Sequence, residues 1–257
     1  MEKHQVLVDK SRCIGCGLCV RDCPVNHLQL RQQKAQTVSD HCIQCGHCVA
    51  VCPKQAVSLS GYACAPVEKP KLDRLDPQAL LDTLRFRRTI RQFQKREVAP
   101  EIMDQIIEAG WLTHTAKNKR DVSFVVLDQQ KDRIEQMAVQ LFRRIQPAAG
   151  LVNPLVREHP IDDHFFFFEA PVAIVILAED KTNGLLAAQN MEYVAEACGL
   201  GVLYSGYFTM AAQASGQIRK ALKLQRRQKI AMTLVLGYPA VQYQRSVPRD
   251  EPEVTRL

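Results

Sequence analysis

Eight of the ten cysteines fall between positions 13 and 52, and their spacing is regular. Cys13-x2-Cys16-x2-Cys19-x3-Cys23-Pro24 is followed, 29 positions later, by Cys42-x2-Cys45-x2-Cys48-x3-Cys52-Pro53. Two copies of one supersecondary unit account for the repeat. Three thiolates at two-residue spacing wrap three corners of an iron–sulfur cube. The fourth, before a proline, points away and reaches the other cube. Gly15, Gly17 and Gly46 suit a chain wound tightly round such a group, because a Cβ disfavours the backbone conformations needed. Zinc is the plain alternative. Zinc ribbons also use CxxC pairs, but they take four ligands per site and rarely add a third cysteine two residues on or a Cys-Pro. The pattern therefore favours iron–sulfur chemistry. His4, His27, His41 and His47 lie nearby, but the cysteine count is complete without them, so they read as surface or packing residues.

A second group lies further on: Arg87-Arg88-Thr89-Ile90-Arg91-Gln92-Phe93. Guanidinium forks match phosphate oxygens, and a cation beside a flavin's pyrimidine edge stabilises the charge of the reduced ring. A solvated basic turn is the bland reading of the same string. No G-x-G-x-x-G is present, since Gly199-x-Gly201 is followed by Tyr204. No Walker A, H-E-x-x-H or G-x-S-x-G appears either.

The elements that must position these groups differ along the chain. Around the cysteine loops, QVLVD and AQTVSD before and HLQL and AVSL after have the strand pattern, and each repeat reads as strand, loop, short helix. Residues 63–77 hold proline and charge with no sustained period and read as a linker. Asp76-Pro77 reads as an N-cap with proline at the first helical position, and Leu80, Leu81 and Leu84 follow at helical spacing. Pro100-Glu101 opens a helix with Ile102, Ile106 and Ala109 on one face. Residues 122–127 read as a strand, and Ile134, Met137, Ala138, Leu141 and Ile145 mark another helix. The apolar runs 171–178 and 231–236 read as strands buried on both faces, and 190–198 and 208–222 read as helices. The expected organisation is a two-cluster domain at 1–62 and an α+β domain at 78–257.

The first segment resembles the bacterial-type ferredoxins with two [4Fe–4S] clusters, across residues 4–62. The resemblance assigns Cys13, Cys16, Cys19 and Cys52 to one cluster and Cys42, Cys45, Cys48 and Cys23 to the other. The second segment resembles the nitroreductase-like flavoproteins. Their RRS[IV]R-x-[FY] signature corresponds to the string from Arg87 to Phe93, with Thr89 keeping the hydroxyl. Thr115-Ala116-Lys117-Asn118 resembles their S/T-A-x-N segment, although Arg120-Asp121 stands where Gln-Pro is usual. Glu169-Ala170-Pro171-Val172, Ala197-Cys198-Gly199-Leu200-Gly201, Leu236-Gly237-Tyr238-Pro239 and the tail from Tyr243 to Arg249 follow in family order. The resemblance implies a homodimeric α+β fold with FMN at the subunit interface. Arg87, Arg88, Thr89 and Arg91 would line the cofactor, Asn118 would contact its ring, and Arg245 or Arg249 would reach the phosphate. No catalytic side chain is implied, because the flavin carries the chemistry.

Composition supports this class. The chain has 257 residues, is 46% hydrophobic and 24% charged, and carries a formal charge of +7. That is ordinary for a soluble globular protein and excludes collagen-like and disordered classes. No apolar run approaches a membrane span and no export signal is visible, so a cytoplasmic protein without disulfides is expected. The basic excess is spread, with seven basic against four acidic residues in 1–62. The densest basic stretch, KLQRRQK at 223–229, has no interleaved aromatics, so no nucleic-acid partner is expected. The fusion reads as an oxidoreductase converting single electrons to pairs. Its donor would be reduced ferredoxin or NAD(P)H and its acceptor a small molecule such as a nitroaromatic or quinone. An electron carrier or redox sensor serving a partner protein is the alternative. Phe165, Phe166, Phe167 and Phe168 distinguish the two as pocket wall or docking patch, although core packing is their plainest reading, as it is for Trp111.

Overall fold

The computed structural model describes residues 4–62, 64–70, 74–151, 158 and 160–257, with the side chains of 149 and 150 left aside. Part of the expected linker, at 63 and 71–73, lies outside the described residues. The chain divides into two compact units. One holds Met1–Arg74 with Thr115–Lys119, the other Leu75–His114 with Arg120–Leu257.

The first unit contains the four short strands expected around the cysteine loops. β1 (Val6–Val8) pairs antiparallel with β4 (Val57–Leu59), and β2 (Leu28–Arg31) pairs with β3 (Lys34–Thr37). Gln32 and Gln33 turn the β2–β3 hairpin with φ of 50° and 58°, the backbone hand that suits the strands' twist. Two single-turn helices, α1 (Leu18–Arg21) and α2 (His47–Ala50), start from Gly17 and Gly46 in the left-handed region. The core is small: Val6, Leu28, Ala35, Ala56 and Val57, completed by Cys13, Cys19 and Cys48. A module of this size buries little apolar surface, so a group bound by its thiols would add to its stability.

The second unit is α+β. Asp76 caps α3 (Pro77–Phe86), accepting from the Gln78 and Ala79 amides at 3.0 and 3.2 Å. Then come α4 (Pro100–Trp111), β5 (Ser123–Leu127), α5 (Lys131–Gly150), β6 (Val172–Leu177), α6 (Lys181–Ala197), β7 (Gly201–Tyr204), α7 (Gly206–Ala214), α8 (Gly216–Ala221) and β8 (Ile230–Gly237). The sheet order is β5-β6-β8-β7, antiparallel throughout. β6 is buried at every residue. Val172, Ile174, Ile176, Leu234 and Leu236 meet Ile106 of α4 and Ala187 and Met191 of α6 on one face. Ala173, Val175, Leu177 and Val235 meet Ile134 and Ala138 of α5, Phe208 of α7 and Ile218 of α8 on the other. Helices cover both faces, which is why the strands read as unbroken apolar runs.

Three elements differ from the sequence expectation. Helix α6 begins at Lys181, nine residues earlier than read, because Asp180 caps it through the Thr182 amide. The expected helix at 208–222 is two helices, broken at Ser215, whose hydroxyl caps α8 through the Ile218 amide. Strand β7 follows Gly199 so closely that its four residues give no visible period. Phe166 and Phe167 are fully buried core residues, whereas Trp111, at the end of α4, is 64% exposed. The turn carrying the phenylalanines is held by buried Glu135, which accepts from the Phe166 and Phe167 amides at 3.0 and 2.6 Å. No helix among the described residues is long and apolar enough to cross a membrane.

Candidate functional site

The eight cysteines of the repeat line two separate cavities in the first unit. Cys13, Cys16, Cys19 and Cys52 line one, with Ile14, Gly15 and Pro53 among its walls. Cys23, Cys42, Cys45 and Cys48 line the other, with Ile43, Gly46 and Leu59. The two cavities are similar in size. Among the described residues no three His, Cys, Asp or Glu side chains close on a point where a single metal ion would sit. The thiols surround space instead.

Backbone amides reach the sulfurs. The His27 amide donates to Cys23 Sγ and the Ala56 amide to Cys52 Sγ, both at 3.2 Å, at equivalent positions of the two repeats. The Ala35 amide donates to Cys13 Sγ at 3.5 Å and the Gln44 amide to Cys42 Sγ at 3.3 Å. The Ala35 bond outweighs burial at Cys13 and draws its thiol below the ordinary value. Burial pushes the Cys48 thiol up to about 11, and Cys45 and Cys42 add to it. Burial raises Cys19 too, with Cys52 and Cys13 next in effect. Thiols crowded in this way need a cationic centre among them before all can ionise, which an iron–sulfur group would supply. The residues present fit such a group.

The arginine string belongs to the second unit. Its backbone is fixed to the sheet edge: Thr89 bridges Val202 of β7, and the Ile90 amide donates to the Val202 carbonyl at 3.1 Å. Gly201 permits this, because a Cβ there would lie 2.3 Å from Ile90 Cγ1. Further along, Phe93 bridges Pro239, and the Gln94 amide donates to the Tyr238 carbonyl at 2.8 Å. A Cβ on Gly237 would strike both Pro171 and Phe93. So the arginine string, the Gly199-Leu200-Gly201 turn, Pro171 and the Gly237-Tyr238-Pro239 segment, far apart in sequence, meet in one place.

Arg87 Nη1 pairs with buried Glu192 Oε1, and Arg88 Nη1 donates to the Arg87 carbonyl. Arg87 Nε, Arg88 Nε and Arg88 Nη2 are buried and have no hydrogen-bond partner among the described residues. Buried guanidinium nitrogens in that state are costly unless an anion or carbonyl meets them. An anionic, carbonyl-rich cofactor fits the donors present. Arg91 is exposed, as are Arg245 and Arg249 in a tail without helix or strand. Asn118 falls in the first unit, where its amide nitrogen donates to the carbonyls of Ile43 and Gln44 at 3.2 and 2.8 Å. Two residues gained importance that sequence reading had passed over. Glu192 lies inside the helical stretch 190–198, where no local motif marks it. Gln44 could have been found from the repeat, since it occupies the position of Gly15.

The chain thus joins a module with two four-cysteine cavities to an α+β domain that carries the arginine string. Comparison with known proteins agrees. The Nitroreductase family profile matches residues 84–238, and the chain belongs to that family. The 4Fe-4S dicluster domain profile matches residues 5–53. A protein of Methanothermobacter thermautotrophicus, provisionally named NADH dehydrogenase/NAD(P)H nitroreductase, is 25% identical over 179 residues, 66% of this chain and 81% of that protein. Ferredoxin-2 of Desulfomicrobium norvegicum is 50% identical over 32 residues, 12% of this chain, and the match spans only 54% of that ferredoxin. The structure of an FMN-bound nitroreductase from Bacteroides fragilis superimposes with a TM-score of 0.56 at 17% identity, covering 69% of this chain and 98% of that one. The chain is thus an oxidoreductase of the nitroreductase family carrying a 4Fe-4S dicluster domain.

Proposed function

We propose that the protein is an FMN-dependent reductase fed by two [4Fe–4S] clusters, one held by Cys13, Cys16, Cys19 and Cys52 and the other by Cys42, Cys45, Cys48 and Cys23. The observation that carries the reading is the pairing, in one chain, of two four-cysteine cavities with buried, partnerless guanidinium nitrogens on Arg87 and Arg88. When bound, the clusters carry single electrons and the FMN pairs them for delivery to a small acceptor such as a nitroaromatic or quinone. The chain's own part is to hold and orient. Arg88, with Arg87, Thr89 and Arg91, lines the FMN; Arg245 or Arg249 of the tail meets its phosphate. Two copies of the chain form a homodimer around the cofactor. The burial of Phe166 and Phe167 leaves a core role for those two rings and weakens the electron-carrier reading, which needed a docking patch there.

The test is anaerobic reduction of the purified holoprotein. Reduced ferredoxin should bleach cluster and flavin absorbance in turn, and a nitroaromatic or quinone should restore both. NADH or NADPH should act slowly. Rapid flavin reduction by NAD(P)H in protein stripped of iron, with no response to reduced ferredoxin, would overturn electron entry through the clusters.

A further inference from the structure

Between their first two cysteines the two loops differ in one residue, Gly15 against Gln44, and the difference is met from elsewhere in the chain. In the first loop Cys13 and Cys16 enclose Ile14 and Gly15; in the second Cys42 and Cys45 enclose Ile43 and Gln44. Gly15 has φ 69°, a conformation that costs glycine nothing. Its Cβ, if present, would lie 2.2 Å from the Gln33 carbonyl oxygen. Gln44 takes the same hand at φ 56°, although a side chain disfavours it by about 1–2 kcal/mol. This conformation accompanies the bond from the Gln44 amide to Cys42 Sγ.

Asn118 holds that strained peptide. Its Nδ2 donates to both carbonyls flanking the turn, Ile43 O at 3.2 Å and Gln44 O at 2.8 Å. The segment bearing Asn118 is itself unusual: Lys117, Asn118 and Arg120 all have positive φ, at 55°, 52° and 49°. Non-glycine residues in this region persist where surrounding contacts over-determine them. The first loop is tied down differently, by Lys34 Nζ on the Cys13 carbonyl and Arg21 Nη1 on the Cys16 carbonyl. Asn118 lies inside the stretch matched by the Nitroreductase family, while the loop it grips lies inside the dicluster match.

We propose that Asn118 is a positioning residue for the second cysteine loop, fixing the Gln44 peptide so that its N–H points at Cys42 Sγ. Hydrogen bonds to ligand and cluster sulfurs stabilise the more negative, reduced state and so raise the potential. Asn118 thereby tunes the group held by Cys42, Cys45, Cys48 and Cys23 and leaves the other alone. The inference rests on the iron–sulfur reading above and assigns Asn118 to a cluster loop where the family resemblance implied a flavin contact.

The experiment is a redox titration of the full-length holoprotein followed by electron paramagnetic resonance. Iron and sulfide are counted first, and the second loop's signal is identified by its shift in Cys45→Ser. A wild type without stoichiometric iron and sulfide would defeat the underlying reading rather than the clamp. With clusters present, Asn118→Ala should move the second signal to lower potential while the first holds and the flavin content stays unchanged. Adding Gln44→Gly should return the potential toward wild type, because glycine adopts the turn without a clamp. Asn118→Asp keeps the side-chain shape while removing both donors, and should show the same shift if the alanine variant folds poorly. Unchanged potentials, equal shifts in both signals, or loss of flavin with both signals intact would each overturn the proposal.

Discussion

Arg87 Nη1 lies 3.1 Å from Glu192 Oε1, and Glu192 is only 2% exposed. The other carboxylate oxygen accepts from Gln189 Nε2 at 2.7 Å and Tyr204 Oη at 3.1 Å. Beside this acid, Tyr204's hydroxyl is pushed up, by burial first and then by the Glu192 charge. Arg87 therefore has a structural duty inside the second unit, as counter-ion to a carboxylate that water barely reaches. Arg87→Ala should destabilise that unit by about 3 kcal/mol, the low end for breaking a buried pair. Calorimetry should show its unfolding transition at lower temperature with the cysteine unit unaffected. Restoring stability with Glu192→Gln in the same chain would show that the stranded charge is the cause.

Arg88 should behave in the opposite way. Its Nε and Nη2 are buried with no partner among the described residues, so removing them costs the apo fold little. If they receive FMN, each lost charge-assisted bond weakens binding by about 1.5–3 kcal/mol, roughly ten- to a hundredfold. Arg88→Ala protein should retain its iron and its melting temperature without flavin, while the flavin released on denaturation falls. Mass analysis of that flavin should give FMN. FAD, or normal flavin occupancy in the variant, would contradict the assignment of these nitrogens.

The sequence was most informative where chemistry restricts residue type. Eight cysteines at fixed spacing announced two cradles, and flanking alternation located all four short strands of the first unit. β6 and β8 were legible because a strand covered on both faces has no polar positions. Helix α6 was not legible in its first half. It is buried on more than one side, so polar residues such as Asn183 are inside and the amphipathic period disappears. Nor could local sequence show that Arg87 meets Glu192 or that Asn118 meets Gln44. These partners lie more than seventy positions apart, and only the fold brings them together.

The cysteine cavities predict an asymmetric response to mutation. Cys23 belongs in sequence to the first run but lines the cavity of the second, and Cys52 does the converse. Wild-type protein prepared anaerobically should contain about eight iron and eight sulfide, four of each per cube. Cys23→Ala should damage the signal assigned to Cys42, Cys45 and Cys48, leaving the other nearly intact. Selective loss of the signal assigned to Cys13, Cys16 and Cys19 would mean instead that each run serves its own group. Stoichiometric zinc would remove the cluster reading altogether.

Apolar side chains left uncovered by a single chain bear on its assembly. α3 has no buried residue, and it exposes Leu81 and Phe86 by about half; Trp111 and Leu112 are 64% and 65% exposed. Exposed large hydrophobics in such numbers fit surfaces that meet a second copy. Light scattering of the holoprotein should therefore give twice the 29.0 kDa chain mass. Leu81→Glu should shift the mass toward the monomer and lower flavin occupancy with it. A monomer with full flavin would show that the cofactor site needs only one chain.

Glu196 gives the chain a pH dependence near neutrality. It stands one turn after Glu192 on α6, and burial first, then the Glu192 charge, push its carboxyl up to about 7, against the pull of Arg87. In the unfolded chain the group releases its proton near 4.5. Between these values the folded protein binds more protons than the unfolded one, so stability falls as pH rises from about 4.5 to 7 and levels off above that. Glu196→Gln stays neutral throughout. Its melting temperature should match wild type near pH 4.5 and exceed it at pH 8, with the gap opening across that window. Arg87→Ala removes the one opposing cation, and in that background the gap should keep widening above pH 7. Parallel melting curves for wild type and Glu196→Gln across the whole range would show that Glu196 ionises in the fold as it does in water.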